Sequence, residues 1–291
     1  MSQLKFFSSL VQIRRLPFYL IVLTCIEVLA FGQRGRGPVA SSIGGAGVAS
    51  NDAMEAAYFN PAAIANAQTN YLSLHLVQED RESTEYKDWG VYAVDAGRES
   101  FIKGGLAYQK EEFSSDSSRL SKSKWEISGA KYRKQGFAMG ASFTKQVLRD
   151  LNLETEKVDY NLDLGFLYNK NDQWSFGALF ENVFTGKDER QESLMTLGLV
   201  YRLGDRLRYL LDTNKVLSTN TQWNYGFGLE LKATDSAFWR LGYLGNKDES
   251  RNYYTGGFSW RGPRLGIHYA FQNAVSKTAD SMHSLDFSLF F

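Results

Sequence analysis

The chain has 291 residues, enough for one large β domain, and its charge is balanced at 33 basic against 32 acidic residues. No basic excess points to nucleic acid, and no acidic tail is visible. Aromatic residues make up 14% of the chain while proline occurs only 4 times, a balance that suits many strands better than helices or long loops.

The chain opens with a basic stretch (Lys5, Arg14, Arg15), followed by a mostly apolar run from Leu16 to Ala30 and then small residues. This pattern predicts a secretory signal peptide over 1–32, too short to span a bilayer as a helix. The single cysteine, Cys25, falls in this leader, and Thr24 before it is a poor fit to a lipid-attachment site. A mature chain without cysteine has no disulfide or thiolate chemistry.

Residues 33–68 are rich in Gly, Ala and Ser. Asp52 through Phe59 is predicted as a short helix capped by Asn51 or Asp52, with Glu55 in its first turn. Pro61 cannot continue that helix, because it lacks an N–H and clashes with the preceding turn. Asn60 instead caps a second short helix that runs to Asn66 with Pro61 at its first position.

From Thr69 onward the apolar residues recur with period two, the signature of strands with one apolar face. About fourteen runs are expected: 69–77, 89–95, 100–110, 122–133, 136–147, 158–169, 173–183, 191–203, 206–212, 221–232, 238–246, 253–261, 264–273 and 281–291. The connections alternate. Short ones (Ala96–Glu99, Lys134–Gln135, Lys170–Asp172, Gly204–Asp205, Ala233–Ala237, Gly262–Pro263) interleave with longer polar ones (Glu79–Asp88, Glu111–Ser121, Leu148–Lys157, Phe184–Arg190, Thr213–Asn220, Lys247–Asn252, Ala274–Asp280). This is the pattern of an antiparallel up-and-down outer-membrane barrel over 69–291, and it orients both termini to the periplasm.

In such a barrel the apolar set faces lipid and the polar or small set faces the lumen. Closure satisfies the backbone groups that an open edge would leave bare in hydrocarbon. In the last strand Leu285, Phe287, Leu289 and Phe291 form the lipid-facing stripe, with Phe290 the exception to the alternation. This strand must pair with the first, near Thr69 to Val77, and it is where assembly machinery would meet the chain. Tyr168, Trp174, Trp223 and Trp260 suit interfacial girdles. Gly105, Gly140, Gly165, Gly177, Gly198, Gly226, Gly228, Gly242 and Gly266 share the inward parity. Either they make room for segment 33–68 as a plug, or they relieve strain in a tightly curved sheet.

The inward-facing ionisable candidates are Lys103, Asp163, Glu181, Glu230, Lys232, Arg240, Arg261, His268 and Asp286. They either select a polar solute or pair with each other and with the plug. Enzyme chemistry is not expected: His283 and Ser281 share a face near the outer rim, but no partner carboxylate is assignable. No His or Cys cluster has metal-ligand spacing, and no phosphate-binding loop is present, so neither metal nor cofactor is expected.

The segment GGAGVASNDAMEAAYFNPAAIA, Gly44 to Ala65, resembles the start of the FadL-like outer-membrane transporters and the related PorV/PorQ proteins. There a Gly/Ala-rich stretch leads through an acidic, Ala-rich helix to an Asn-Pro-Ala motif, here Asn60, Pro61 and Ala62. LDLGFLYNKNDQWSFGALFENV at 162–183 and FWRLGYLGN through RLGIHYAF at 238–271 are similar as well. The resemblance implies a fourteen-stranded barrel with its N-terminal segment folded into the lumen. It also implies passive transport of a small hydrophobic compound across the outer membrane. PorV/PorQ-like proteins belong to type IX secretion, so the alternative is a non-transporting part of a secretion or surface-attachment complex, with secretion proteins as partners. The chain is compact, with no long apolar loop to form an outer ligand funnel.

Overall fold

A computed structural model describes residues 37–52, 54, 59–81, 84–97, 101–134, except 116–118, 136–184, 193–217, 223–246, 251–275 and 280–291. The leader expected over 1–32 and most of the helix expected over Asp52–Phe59 lie outside the described residues.

The chain forms one closed antiparallel barrel in which each strand pairs with its neighbours in sequence. The fourteen strands are β1 (Tyr71–Arg81), β2 (Thr84–Asp95), β3 (Lys103–Ser115), β4 (Arg119–Lys134), β5 (Phe137–Asp150), β6 (Thr155–Asn169), β7 (Trp174–Glu181), β8 (Leu194–Leu203), β9 (Leu207–Val216), β10 (Asn224–Lys232), β11 (Ala237–Asn246), β12 (Arg251–Arg261), β13 (Leu265–Ala274) and β14 (Ser281–Phe290). The count and order agree with the sequence reading. Closure is made by β1 and β14, in register from Tyr71 opposite Phe290 to Asp80 opposite Ser281. Among the described residues no helix is long and apolar enough to cross a membrane; the strands do so instead.

The barrel is inside-out relative to a water-soluble domain. Leu74, Leu106, Trp125, Ile127, Leu241 and Leu289 are exposed on the outer wall. Ser73, His75, Asp88, Glu126, Asp212, Glu230 and Arg240 are buried inside it. Only a hydrocarbon surround makes that partition favourable, since exposed apolar area on this scale would be driven out of water.

Three expected loops are corrected. Glu79–Asp88, Glu111–Ser121 and Leu148–Lys157 are instead the paired tips of hairpins: Arg81 pairs with Thr84, Ser114 with Arg119 and Asp150 with Thr155. Outward residues explain why period two fades there. On the outer wall Trp89, Tyr108 and Trp125 stack in a row, with centroids 5.4 and 4.4 Å apart. The row continues in the Phe143–Tyr160 stack at 5.9 Å. Beyond that girdle the outward residues are polar (Lys87, Glu85, Lys110, Glu112), because the tips stand in water. Both faces are then wet and the alternation disappears. The strict sorting of loops by length therefore does not hold in β1–β6, where 96–102 on one rim separates strands further than 82–83 on the other.

The opposite rim, where both strand-bearing ends of the chain lie, has its own aromatic row, Trp174, Tyr201 and Tyr209, with centroids 4.4 and 6.3 Å apart. We call this the terminal rim and the other the far rim. The turn from β8 to β9 at the terminal rim places Gly204 at φ +63°, a left-handed conformation that costs glycine little. Phe291 follows β14 rather than extending it, and its N–H donates to the Asn70 carbonyl at 3.0 Å. Phe290, the exception in the outward stripe, turns inward onto Tyr71, with centroids 6.4 Å apart.

Candidate functional site

The described residues of 37–68 lie against the inner wall. A short helix, α1 (Pro38–Ser42), was not expected from the sequence. The second expected helix is present as a 3₁₀ helix, Pro61–Asn66, with Asn60 as its cap. Asn60 uses every polar atom it has. Its Oδ1 accepts from the Ala62 N–H at 3.0 Å, and its Nδ2 donates to the Val48 carbonyl at 2.8 Å and to the Phe166 carbonyl of β6 at 3.0 Å. Ala62 packs at the terminal-rim side in an apolar cluster with Ile64, Tyr71, Tyr92 and Leu167.

The inward glycines are where this segment touches the wall. A Cβ at any of the nine positions singled out by parity, Gly266 apart, would crowd an atom of residues 43–64. At Gly140 it would come within 2.5 Å of the Ala62 nitrogen, and at Gly228 within 2.6 Å of the Ile43 Cβ. Glycine is needed because main chain approaches main chain there. At Gly266 the neighbours are His268 and Phe290 instead.

Several wall residues that hold the segment went unrecognised in the sequence. Asp212 Oδ2 of β9 accepts from the N–H groups of Gly47 and Val48 at 2.7 and 2.9 Å. Thr255 Oγ1 of β12 accepts from the Gly44 N–H at 2.9 Å, and Gln272 Nε2 of β13 donates to the Ser41 carbonyl at 3.0 Å. Asp212 was detectable as a carboxylate at inward parity within an apolar run. It is the last residue of the expected strand 206–212.

The expected lumen charges all occupy the inner face but fall into separate groups. Lys103 donates to the Ala67 carbonyl. Toward the terminal rim, Glu230 of β10 lies between two arginines: Oε1 accepts from Arg208 Nε at 2.7 Å and Oε2 from Arg240 Nε at 2.7 Å. Both contacts are direct cross-strand neighbours in register. Arg240 also donates to Ser259 Oγ, which lies 2.6 Å from His268 Nδ1. His268 in turn faces Asp286 across β13 and β14, and Asp286 Oδ1 accepts from Ser288 at 2.6 Å. Arg261 pairs with Asp52 of the N-terminal segment and lies over the Phe238 ring at 5.0 Å. Burial alone would raise the Asp52 carboxyl, but Arg261 and Arg208 outweigh it and hold the group well below the usual carboxylate range. Asp163 and Glu181 stand apart from this network, on β6 and β7. Lys232, on the same inward parity, pairs with Asp235 at the turn, 2.7 Å away. His283 is on the outer wall, its Nδ1 2.8 Å from the Tyr269 hydroxyl.

Two cavities flank the segment. One, of about 360 Å³, lies on the far-rim side and is lined by Phe59, Pro61 and Leu179 below and by Tyr86 and Phe113 above. Between them are polar groups of β3–β7, including Lys124, Glu126, Asp163 and Glu181. The other, of about 590 Å³, opens at the terminal rim between Asn51, Tyr168, Asn169, Asp172 and Arg202. Both fall in the size range of small-molecule sites.

A closed barrel with an apolar outer belt, aromatic girdles and a polar interior is a transmembrane β-barrel of an outer membrane. A family model described as Gram-negative porin matches residues 39–217, and the chain belongs to that family. Its fold is similar to that of the CymD monoaromatic hydrocarbon channel (TM-score 0.70, 14% identity, covering 90% of this chain and 99% of that one). It is also similar to the Pseudomonas putida toluene transporter TodX (0.65, 13%, 90% and 99%) and to a Pseudomonas aeruginosa FadL homologue (0.64, 11%, 90% and 99%). The expected FadL-like barrel is borne out at the level of fold. No curated protein matches the chain in sequence.

Proposed function

We propose that the protein is a passive channel for a small, largely hydrophobic compound, crossing the outer membrane without chemical change to the solute. The observation that carries this reading is the pair of cavities on either side of the N-terminal segment, within a barrel whose fold is shared with hydrocarbon channels. In this reading the segment is a plug. Its anchors on the β9–β13 wall and the 3₁₀ helix on the β3–β6 wall fill the middle of the barrel between the far cavity and the terminal-rim cavity. The terminal rim is assigned to the periplasm, and β14 is the strand that the assembly machinery engages.

The test is uptake of radiolabelled toluene by Gram-negative cells whose lipopolysaccharide-bearing outer membrane lacks other hydrocarbon channels. Expression of this chain should raise the initial uptake rate. A correctly folded protein in the outer membrane that leaves the rate at the vector level removes the reading.

A further inference from the structure

The far cavity joins an apolar floor to a polar wall, and the charged groups of that wall have partners. Lys122 pairs with Glu111 at 3.2 Å and Lys124 with Glu126 at 2.8 Å. Asp163 Oδ1 accepts from the Asn182 N–H at 2.8 Å. Gln109 Nε2 donates to Asp88 Oδ2 at 2.6 Å. Ser128 donates to Glu126 Oε1 at 2.9 Å and lies 3.1 Å from the Ser142 hydroxyl. Groups joined in this way do not call for an ion.

Two neutral groups of the same wall differ from these. Thr144 of β5 and Asn161 of β6 are direct cross-strand partners, and both line the cavity. They are 1% and 3% exposed. Thr144 Oγ1 and Asn161 Oδ1 have no hydrogen-bond partner among the described residues. A buried polar oxygen left without a partner costs stability, and here two occupy adjacent positions. Directly paired side chains stand with their Cβ atoms about 5 Å apart, so one atom between them reaches both. Gln146, two residues from Thr144 and on the same face, adds a further neutral amide to the cavity. The floor beneath, Phe59 and Leu179, is apolar.

We propose that Thr144 and Asn161 hold the hydroxyl of a neutral alcohol with an apolar body. A hydroxyl is both donor and acceptor. It donates to Asn161 Oδ1 and accepts from the Thr144 hydroxyl, so one oxygen satisfies both wall groups and brings no charge. A plain hydrocarbon satisfies neither. The apolar body lies over Phe59 and Leu179. The inference deepens the channel reading by naming the class of solute, and it rests on that reading only for placing the site on a route.

Binding and passage can be measured apart. The full chain in lipid nanodiscs is dialysed to equilibrium against radiolabelled 2-phenylethanol or ethylbenzene. Each affinity is referred to the probe's own partition into protein-free discs of the same lipid, which cancels its hydrophobicity. On that scale the alcohol should bind at least about tenfold better than the hydrocarbon, the gain expected of two neutral hydrogen bonds. Thr144→Val combined with Asn161→Leu should remove the preference, and Thr144→Val alone should cut it about fivefold. Asp235→Asn at an exposed turn should leave it unchanged. Equal binding of the two probes overturns the proposal, as does a preference that survives the double substitution or falls as far in Asp235→Asn. If the double variant fails to fold, as read from its gel mobility with and without heating, Thr144→Val and the two-probe comparison on the unaltered protein decide. Selective binding without toluene uptake by cells would remove the channel reading and leave the site standing; uptake without selective binding would do the reverse.

Discussion

Asn60 joins two parts of the N-terminal segment to the barrel wall: its amide donates to the Val48 carbonyl and to the Phe166 carbonyl of β6, at 2.8 and 3.0 Å. The same side chain caps the 3₁₀ helix through Ala62, so local structure and tertiary docking depend on one residue. Cap and donors can be separated chemically. Asn60→Asp keeps an oxygen for the Ala62 N–H but sets a carboxylate against two carbonyls. Asn60→Ala loses all three bonds, at about 1 kcal/mol each. Both variants should speed amide hydrogen exchange at Val48 and Ala49 without changing exchange in β10–β13. Unchanged exchange at Val48 would show that Asn60 is only a cap.

Gly177 tests the packing of segment against wall. A Cβ there would overlap the main chain of Val48 and Ala49. Gly177→Val should displace the segment while leaving the barrel, because the strand pairing of β7 does not involve the side chain and valine suits a strand. The expected outcome is a rise in single-channel conductance in planar bilayers, with heat-modifiable gel mobility retained. Unaltered conductance in a folded variant would count against the segment as the obstruction.

Glu230 pairs with both Arg208 and Arg240, and it is 3% exposed. Glu230→Gln removes the carboxylate that the two guanidinium groups share across β10. Removing one member of a buried ion cluster costs about 3–5 kcal/mol. The thermal unfolding midpoint in detergent should fall, and Arg240→Met in the same chain should recover part of the loss. An additive effect of the two substitutions would show that the pair is not coupled.

The Asp52–Arg261 pair gives the anchoring of the segment a pH dependence of known sign. Its folded-state carboxyl is held below its ordinary value of 3.8. A carboxylate depressed on folding contributes stability that is fully present above the unfolded value and lost as pH falls toward the folded one. Hydrogen exchange at Gly47 and Val48, referred to the intrinsic rate at each pH, should therefore be constant from neutral pH down to about 4 and rise below it. Asp52→Asn should remove this pair's contribution to the rise and raise exchange at neutral pH. Loosening already complete at pH 5 would assign the anchor to another group.

The outer wall has a simpler test. Leu241 is 63% exposed at the middle of β11. Leu241→Arg should destabilise the barrel in lipid by roughly 2–4 kcal/mol, the cost of a cation near the bilayer midplane. Unfolding in urea from phospholipid vesicles measures it. A loss below about 1 kcal/mol would move this position to the interface.

Period two alone determined much of this protein. In strands such as leucine-rich β1 or β14, an alternation of apolar and polar residues has one stable reading once the apolar face is also the exposed one, and Leu285, Phe287 and Leu289 were assigned correctly from spacing. Asn60 and Pro61 were legible too, because a cap and a helix-start proline act within a few residues. The alternation failed at the tips of β1–β6, where both faces are wet and nothing local marks a strand; only the cross-strand hydrogen bonds hold those residues extended. It also failed at Lys124 and Glu126 of β4 and at Arg208 and Asp212 of β9, polar positions in strands with weak periodicity. What tertiary structure decided is partnership. Parity gives each charge a face, but which charges meet depends on register around a closed ring and on where the N-terminal segment crosses it. Glu230 finds two arginines on adjacent strands, and Arg261 finds Asp52 from a segment 209 residues away in sequence. No spacing in the sequence encodes those partnerships, because the first is set by the register of β9, β10 and β11 and the second by where the N-terminal segment meets β12.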